Sequence, residues 1–384
     1  MKKILYPNYD KSIVNLIASI LNYYSITSEY KPLDLLSSKL NKHYKNIILM
    51  VFDGLGNEII NKVLSPESFL VSNTKTTLTS VFPSTTTAAM TSYYSGISPN
   101  EHGWIGWSLY FKECSRIIDT YLNKDSLSGE DIGEPYLPNE LMPYETIFYK
   151  IKEKNPNILI HTLQPKHINF PSNGNVNIGV SSLEDIVSNV SNICKNSDKN
   201  FIFSYWDNPD SIMHTAGCYS KESTDYINHI DNSLLTLSSQ LTDTLLIVSA
   251  DHGQTMITNN YYLNDYPELM DCMYMPPSIE SQAISLFIKH EKEKNFKKTF
   301  KRLFGNEFIL ISRKNFFHKH LLGFGIMNYK VSDFVGNYIA IGIGNSILRC
   351  KSLNTKNKPN KVFLGHHAGL TTEEMLIPLV IKEI

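Results

Sequence analysis

The stretch "VFPSTTTAAMTSYYSG" sets four hydroxyl side chains in a row, Ser84, Thr85, Thr86 and Thr87, just before what reads as the start of a helix. Ser and Thr cap helix N-termini, but one cap needs one hydroxyl, which leaves a run of four unexplained. A hydroxyl placed there can also attack, because the amides and dipole of a helix start favour negative charge. Four further segments carry acids and imidazoles. "VFDGLG" ends an apolar run on Asp53, although an Asp-Gly pair after a strand is by itself usually a turn. "NPDSIMHTAG" spaces Asp210 and His214 so that both fall on one side of a helical turn. "SADHG" sets Asp251 beside His252 at the exit of a strongly apolar run, where buried polar groups need partners. "GHHAG" holds His366 and His367 between glycines.

Carboxylate oxygen and imidazole nitrogen are the ligands of zinc and similar divalent ions. Two such ions about 4 Å apart clamp an in-line displacement at phosphorus, and a hydroxyl held by one of them is a nucleophile at neutral pH. The chemistry expected of these residues is therefore metal-assisted phosphoryl transfer.

The elements that must bring these residues together are legible as apolar, β-branched runs: "NIILMVFD" (46–53), "NILIHTLQP" (157–165), "NFIFSYWD" (200–207) and "TLLIVSADHG" (244–253). Helical patterns alternate with them, such as 223–241, where Ile227, Ile230, Leu234 and Leu237 form one stripe. Alternating strands and helices predict an α/β fold with a mostly parallel central sheet and helices on both faces. Ligands then gather at the carboxyl ends of the strands, where Asp53, Asp207, Asp210, Asp251 and His252 stand. Residues 254–362 break the pattern. They contain a basic amphipathic piece, "FIKHEKEKNFKKTFKRLFG", and "VSDFVGNYIAIGIG", which reads as paired strands. The expectation is one catalytic domain over 1–384 with an inserted subdomain or cap at about 254–362. In "LGHHAGLTTEEMLIPLVI", Thr371 and Glu374 have capping-box spacing, and "LIPLVI" reads as a last strand.

The chain has 384 residues, 42% of them hydrophobic and 19% charged, which fits a soluble globular protein with a large core. A formal net charge of -1 offers no footprint for a nucleic acid polymer or an anionic membrane, so neither is an expected partner. The first apolar run, after two lysines, is too short for a signal peptide. The helix expected around Ile13–Leu21 is too polar to span a bilayer. Five scattered cysteines with no CxxC spacing suggest a reducing compartment, and a cytoplasmic location is the expectation.

In this order, the segments resemble the alkaline phosphatase superfamily, and within it the type I phosphodiesterase and nucleotide pyrophosphatase branch. The resemblance runs from about residue 46 to the C-terminus and is weakest through 254–340. The family's nucleophile segment reads Phe-Pro-Thr/Ser-x-Thr, followed by Thr-Gly-x-x-Pro-x-x-His-Gly. This chain fits without a gap from Pro83 to His102 and Gly103. That register implies Thr86 as nucleophile, with Thr85 as the alternative. It implies an alkaline-phosphatase-like sandwich and two divalent ions, with zinc as the expected metal. One ion would be held by Asp53, Thr86, Asp251 and His252, the other by Asp210, His214 and His367, with His366 on a variable position.

The chain also departs from the family. Where nucleotide pyrophosphatases carry Phe-Pro-Asn after the nucleophile, it has Thr87, Ala88 and Ala89. Near the place of a family Asn that binds a phosphate oxygen stands Trp107. The oxyanion donor is then the Thr87 amide, an indole N–H, or an unidentified group. The resemblance implies hydrolysis of a small-molecule phosphodiester, pyrophosphate or nucleotide-like substrate through a phosphothreonine. Alternatives are a phosphomonoesterase, a phosphonate hydrolase, and an inactive metal-binding scaffold. A monoesterase needs added cationic groups at the phosphate, and the first Arg after the motif is Arg116.

Overall fold

The strands Asn46–Phe52, Asn200–Trp206 and Thr244–Ala250 are buried along their whole length. A strand with no exposed side must be covered on both faces, as a parallel sheet between helices is. The computed structural model, which describes residues 3–168, 174–196, 198–351 and 362–384, has that arrangement. Val176–Val180, Leu159–Pro165, Asn200–Trp206, Asn46–Phe52 and Thr244–Ala250 run parallel in that order. The expected last strand, Leu376–Glu383, joins antiparallel to Thr244–Ala250, and Thr74–Thr79 closes the edge.

Two groups of helices cover this sheet. Ile13–Tyr23 packs with Thr86–Ser95, which also meets Ile147–Lys154; Lys221–Gln240 packs with Asn57–Val63, Phe69–Asn73 and Leu183–Lys195. Lys221–Gln240 illustrates why these segments are helical. Ser220 accepts a hydrogen bond from the Ser223 amide, and the buried face repeats at Ile227, Ile230, Leu234 and Leu237.

Register decides where the chemistry falls. Phe52 lies level with Trp206 on one side and with Ala250 on the other. The residues that follow, Asp53, Asp207 and Asp251, therefore leave the sheet at one edge.

A second, antiparallel sheet of seven strands has its own apolar core. Four strands, Ser278–Ile279, Ala283–Leu286, Phe308–Ser312 and Tyr338–Gly342, come from the segment expected to be an insertion. The other three, Ser108–Phe111, Arg116–Asp119 and Lys124–Asp125, come from much earlier in the chain. The two parts meet where Ile279 pairs with Ser108. The expected strand pair in "VSDFVGNYIAIGIG" is instead a short helix, Val331–Phe334, and one strand, Tyr338–Gly342, whose partners are Ala283–Leu286 and Phe308–Ser312. The basic piece is the helix Glu293–Phe304, which buries Phe296, Phe300 and Phe304 and leaves its lysines outside. Among the described residues no helix is long and apolar enough to cross a membrane, and all five cysteines are free.

Candidate active site

Thr86 is the first residue of the helix Thr86–Ser95, and its four-hydroxyl approach divides into separate tasks. Thr85 is the N-cap by backbone angles, yet its side chain makes no capping bond, so the capping expectation fails for the residue best placed to cap. Its hydroxyl donates to Glu280 Oε1 at 2.7 Å instead. Ser84 Oγ donates to the Gly369 carbonyl at 3.0 Å, tying the segment to the "GHHAG" loop. Thr87 is buried, with an unpartnered Oγ1. Thr86 Oγ1 faces the strand ends, 3.3 Å from Asp53 Oδ2 and 3.2 Å from His252 Nε2.

Asp53, Asp251 and His252 arrive directly from the sheet. Gly54 adopts φ +73°, and a Cβ there would press on Asp210 at 3.0 Å, so the turn after Asp53 packs on the next acid's helix. The Gly54 amide donates to Asp251 Oδ1 at 3.0 Å, as does the His252 amide at 2.8 Å. Asp210 and His214 share the helix Asp210–Ala216, with Oδ2 and Nε2 3.2 Å apart. His367 Nε2 lies 3.7 Å from Asp210 Oδ1, and its ring stacks on His252 with centroids 3.8 Å apart. The ligating atoms of Asp53, Asp251 and His252, and those of Asp210, His252 and His367, fall within 4.8 Å of one another.

Proton placement shows what is wrong with this cluster on its own. His252 Nδ1 lies 3.1 Å from the Gly253 carbonyl, His214 Nδ1 2.8 Å from the Gly365 carbonyl, and His367 Nδ1 3.0 Å from the Ser84 carbonyl. A carbonyl only accepts, so each Nδ1 carries a proton and each ring turns its Nε2 away from that carbonyl. These Nε2 atoms point at carboxylates. His252 Nε2 lies 3.4 Å from Asp53 Oδ1 and 3.3 Å from Asp251 Oδ2, and both oxygens are buried without a hydrogen-bond donor. His366 Nδ1 lies near both the His367 amide, at 2.9 Å, and the His367 carbonyl, at 3.0 Å.

Electrostatics agree with this geometry. Burial raises the Asp53 carboxyl well above the usual range, reinforced by Asp251 and Asp210 and opposed by the Tyr205 hydroxyl, which donates at 2.5 Å. Burial raises Asp251 too, against the pull of His252 and the Gly54 amide. Burial also pushes Asp210 up, but the imidazoles around it, His214 first, outweigh burial and its net shift is downward. Burial and the neighbouring His252 hold His367 well below the ordinary imidazole value. Three buried carboxylates crowd together, and Asp53 Oδ1 and Asp251 Oδ2 lack any donor, so the cluster is short of positive charge. Divalent cations fit that deficit, and Nδ1 protons fixed by carbonyls are the usual support of histidines that hold a metal through Nε2.

A cavity of about 1200 Å³ opens over Thr86, Asp53, Asp210 and His367. Trp107 lines it, but its backbone amide is taken by Glu280 Oε1 at 2.7 Å. Trp104 is packed inside, its indole N–H donating to the Met142 carbonyl at 2.9 Å. His102 orders the same loop: it accepts from the Trp104 amide at 3.0 Å, and burial lowers its pKa to about 3.

Three residues beside the cluster carried no clear sequence signal. Tyr205 sits inside an ordinary apolar strand. Gln254, whose amide donates to Asp210 Oδ1, follows a turn. Glu280 lies after a two-residue strand; the alternation in "FSYWD" hinted only at Tyr205.

Comparison with known proteins agrees with this picture. The type I phosphodiesterase/nucleotide pyrophosphatase family model matches residues 47–320. Murine ectonucleotide pyrophosphatase/phosphodiesterase 5 is similar over 88% of each chain, with a TM-score of 0.61 and 18% identity. Its human counterpart gives 0.62 and 16%, with 87% of each chain covered. Phosphonoacetate hydrolase from Sinorhizobium meliloti 1021, in complex with phosphonoformate, gives 0.63 and 14% over 88% of this chain and 89% of that one. At these identities the likeness is one of fold. No curated protein sequence matches the chain.

Proposed function

Since the chain belongs to the type I phosphodiesterase/nucleotide pyrophosphatase family and is a hydrolase acting on phosphoester bonds, we propose that it cleaves small-molecule phosphodiesters or pyrophosphates through a phosphothreonine at Thr86. The observation that carries this reading is the convergence of imidazole Nε2 atoms on buried carboxylates, two of which have an oxygen with no donor, beside a hydroxyl at a helix start. Asp53, Thr86, Asp251 and His252 would hold one divalent ion, and Asp210, His214 and His367 the other. The ions supply a lowered pKa for a hydroxyl and offset the charge that builds on oxygen, and zinc suits this donor set.

The chain's own residues do the rest. Thr86 Oγ1 forms a bond to phosphorus as the bond to the leaving oxygen breaks, and its proton goes to Asp53 Oδ2, 3.3 Å away. Water then cleaves the phosphothreonine and restores the hydroxyl. First-turn amides have no intrahelical acceptor, so the Thr87 N–H is free to face a phosphoryl oxygen. The Trp107 amide is engaged with Glu280, which leaves its ring, edge-on to Tyr121 at 6.2 Å, to pack against the second ester group. The inactive threonine-to-alanine variant of the murine relative is known in complex with AMP, which supports a nucleotide-like substrate here. Five free cysteines support a reducing, cytoplasmic setting.

The test is hydrolysis of the p-nitrophenyl ester of a nucleoside monophosphate by zinc-loaded wild type and Thr86→Ala. Turnover by wild type, lost in the variant, is expected. Turnover that survives in Thr86→Ala contradicts the assignment of the nucleophile.

A further inference from the structure

Glu280 stands beside the nucleophile on a segment held under constraint. Its neighbour Ile279 has φ +79°, a backbone state that a β-branched residue keeps only when its surroundings impose it. Gly106 leaves the space this needs, since a Cβ there would meet Ile279 Cγ2 at 2.7 Å and its carbonyl oxygen at 2.8 Å. Glu280 Oε1 accepts from both Thr85 Oγ1 and the Trp107 amide, each at 2.7 Å. Among the described residues no donor is bonded to Oε2, and the residue lines the cavity together with Thr85 and Thr86. The carboxyl is thus fixed one residue from the attacking hydroxyl and takes no part in the ligand cluster.

An acid is a poor neighbour for an anionic substrate. Phosphate sites are ordinarily built from amides and cations. Among the described residues lining this cavity there is no lysine. The one guanidinium, Arg349, lies over the rings of Tyr262 and Phe363 at 5.0 and 4.9 Å. A diester brings a single negative charge to this place, and an ionised monoester brings about two. We propose that Glu280 is a specificity-determining residue, selecting diesters by repelling the doubly charged phosphoryl group of monoesters. The inference rests on the phosphohydrolase reading above and names the device by which that site chooses its substrate. Discrimination of this kind works by an unfavourable contact with the wrong ligand rather than a better one with the right ligand.

Surface exposure leaves Glu280 half-buried, but its carboxyl is enclosed by protein. Burial raises it to about 7, with Asp119 acting in the same direction and Thr85, the Trp107 amide and His214 opposing. Above that value the repelling charge is in place.

Methyl p-nitrophenyl phosphate and p-nitrophenyl phosphate share a leaving group and differ in the charge on phosphorus. At about pH 8, with both the acid and the monoester ionised, zinc-loaded wild type is expected to favour the methyl ester in kcat/KM. In Glu280→Gln, the diester-to-monoester ratio is expected to fall about tenfold, the scale of one screened charge contact. Inorganic phosphate is expected to inhibit that variant at correspondingly lower concentration. Glu280→Ala removes the charge without adding an amide and is expected to lower the ratio likewise. A ratio within about twofold of wild type in both folded variants overturns the proposal, as does a wild type that favours the monoester. Hydrolysis of neither ester by wild type contradicts the phosphohydrolase reading itself, which separates the two failures.

Discussion

Two clusters of charge in this molecule, each with a buried member, have opposite characters. Around Lys330, whose side chain is fully buried, Nζ meets Glu113 Oε1, Glu113 Oε2 and Asp333 Oδ2, each at 2.9 Å. The rings of Phe111 and Phe334 flank it at 5.5 and 5.4 Å. An ammonium has three donors, and all three are used. At the strand ends, Asp53, Asp210 and Asp251 face His214, His252 and His367, each of which turns its Nε2 inward, and Asp53 Oδ1 and Asp251 Oδ2 have no donor. The first cluster is complete as the chain makes it and asks for nothing further. The second is incomplete in a specific way, lacking positive charge where ligand atoms converge, and that deficit marks it as the working part of the molecule.

Substitutions are expected to separate the two clusters. Thr86→Ala should lower diester hydrolysis by more than about a thousandfold. It should shift the denaturant midpoint little, since among the described residues the hydroxyl forms two long contacts, at 3.2 and 3.3 Å. Lys330→Met should do the reverse. Glu113 and Asp333, both reached by solvent, would lose their charged partner, costing about 2 kcal/mol in equilibrium unfolding, while metal content per folded chain stays that of wild type. A Lys330 variant that loses metal would break the distinction drawn here.

Smaller effects sharpen it. Glu280 has a folded-state pKa of about 7, above the ordinary glutamate value of 4.5. Its contribution to stability is therefore full below pH 4.5 and is lost as pH rises through about 7. Measured against Glu280→Gln, wild type should lose about 2 kcal/mol of unfolding free energy across that window, a figure reduced for partial solvent access. Gly106→Ala should cost about 1–2 kcal/mol, because its methyl group meets Ile279. It should also weaken the diester preference by moving the segment that carries Glu280.

How much of this was legible in the sequence follows from where each signal resides. Three strands and the long helix were readable because full burial writes continuous apolar runs and a helical stripe into the chain, and Leu159–Pro165 because it is mostly buried. Their register then brings Asp53, Asp207 and Asp251 to one edge without further information. Thr371 and Glu374 form the capping box their spacing announces. The second sheet was less legible, since Ser108–Phe111 and the two-residue strand Ser278–Ile279 are too short to show a period and pair across a long stretch of chain. Glu280 escaped for the same reason, as its role depends on Thr85 and Trp107, which are far from it in sequence. The hydroxyl run misled in one respect. Capping propensity is local, whereas Thr85 answers to a tertiary partner and leaves its helix uncapped by a side chain.

The most direct test of the central claim is the zinc content of protein dialysed against zinc and then against buffer, for wild type, His214→Ala and His367→Ala. Two ions per wild-type chain and a loss of about one in each variant are expected, with unfolding of wild type moved to lower denaturant by a chelator. A wild-type chain that retains no zinc and whose unfolding ignores the chelator would contradict it.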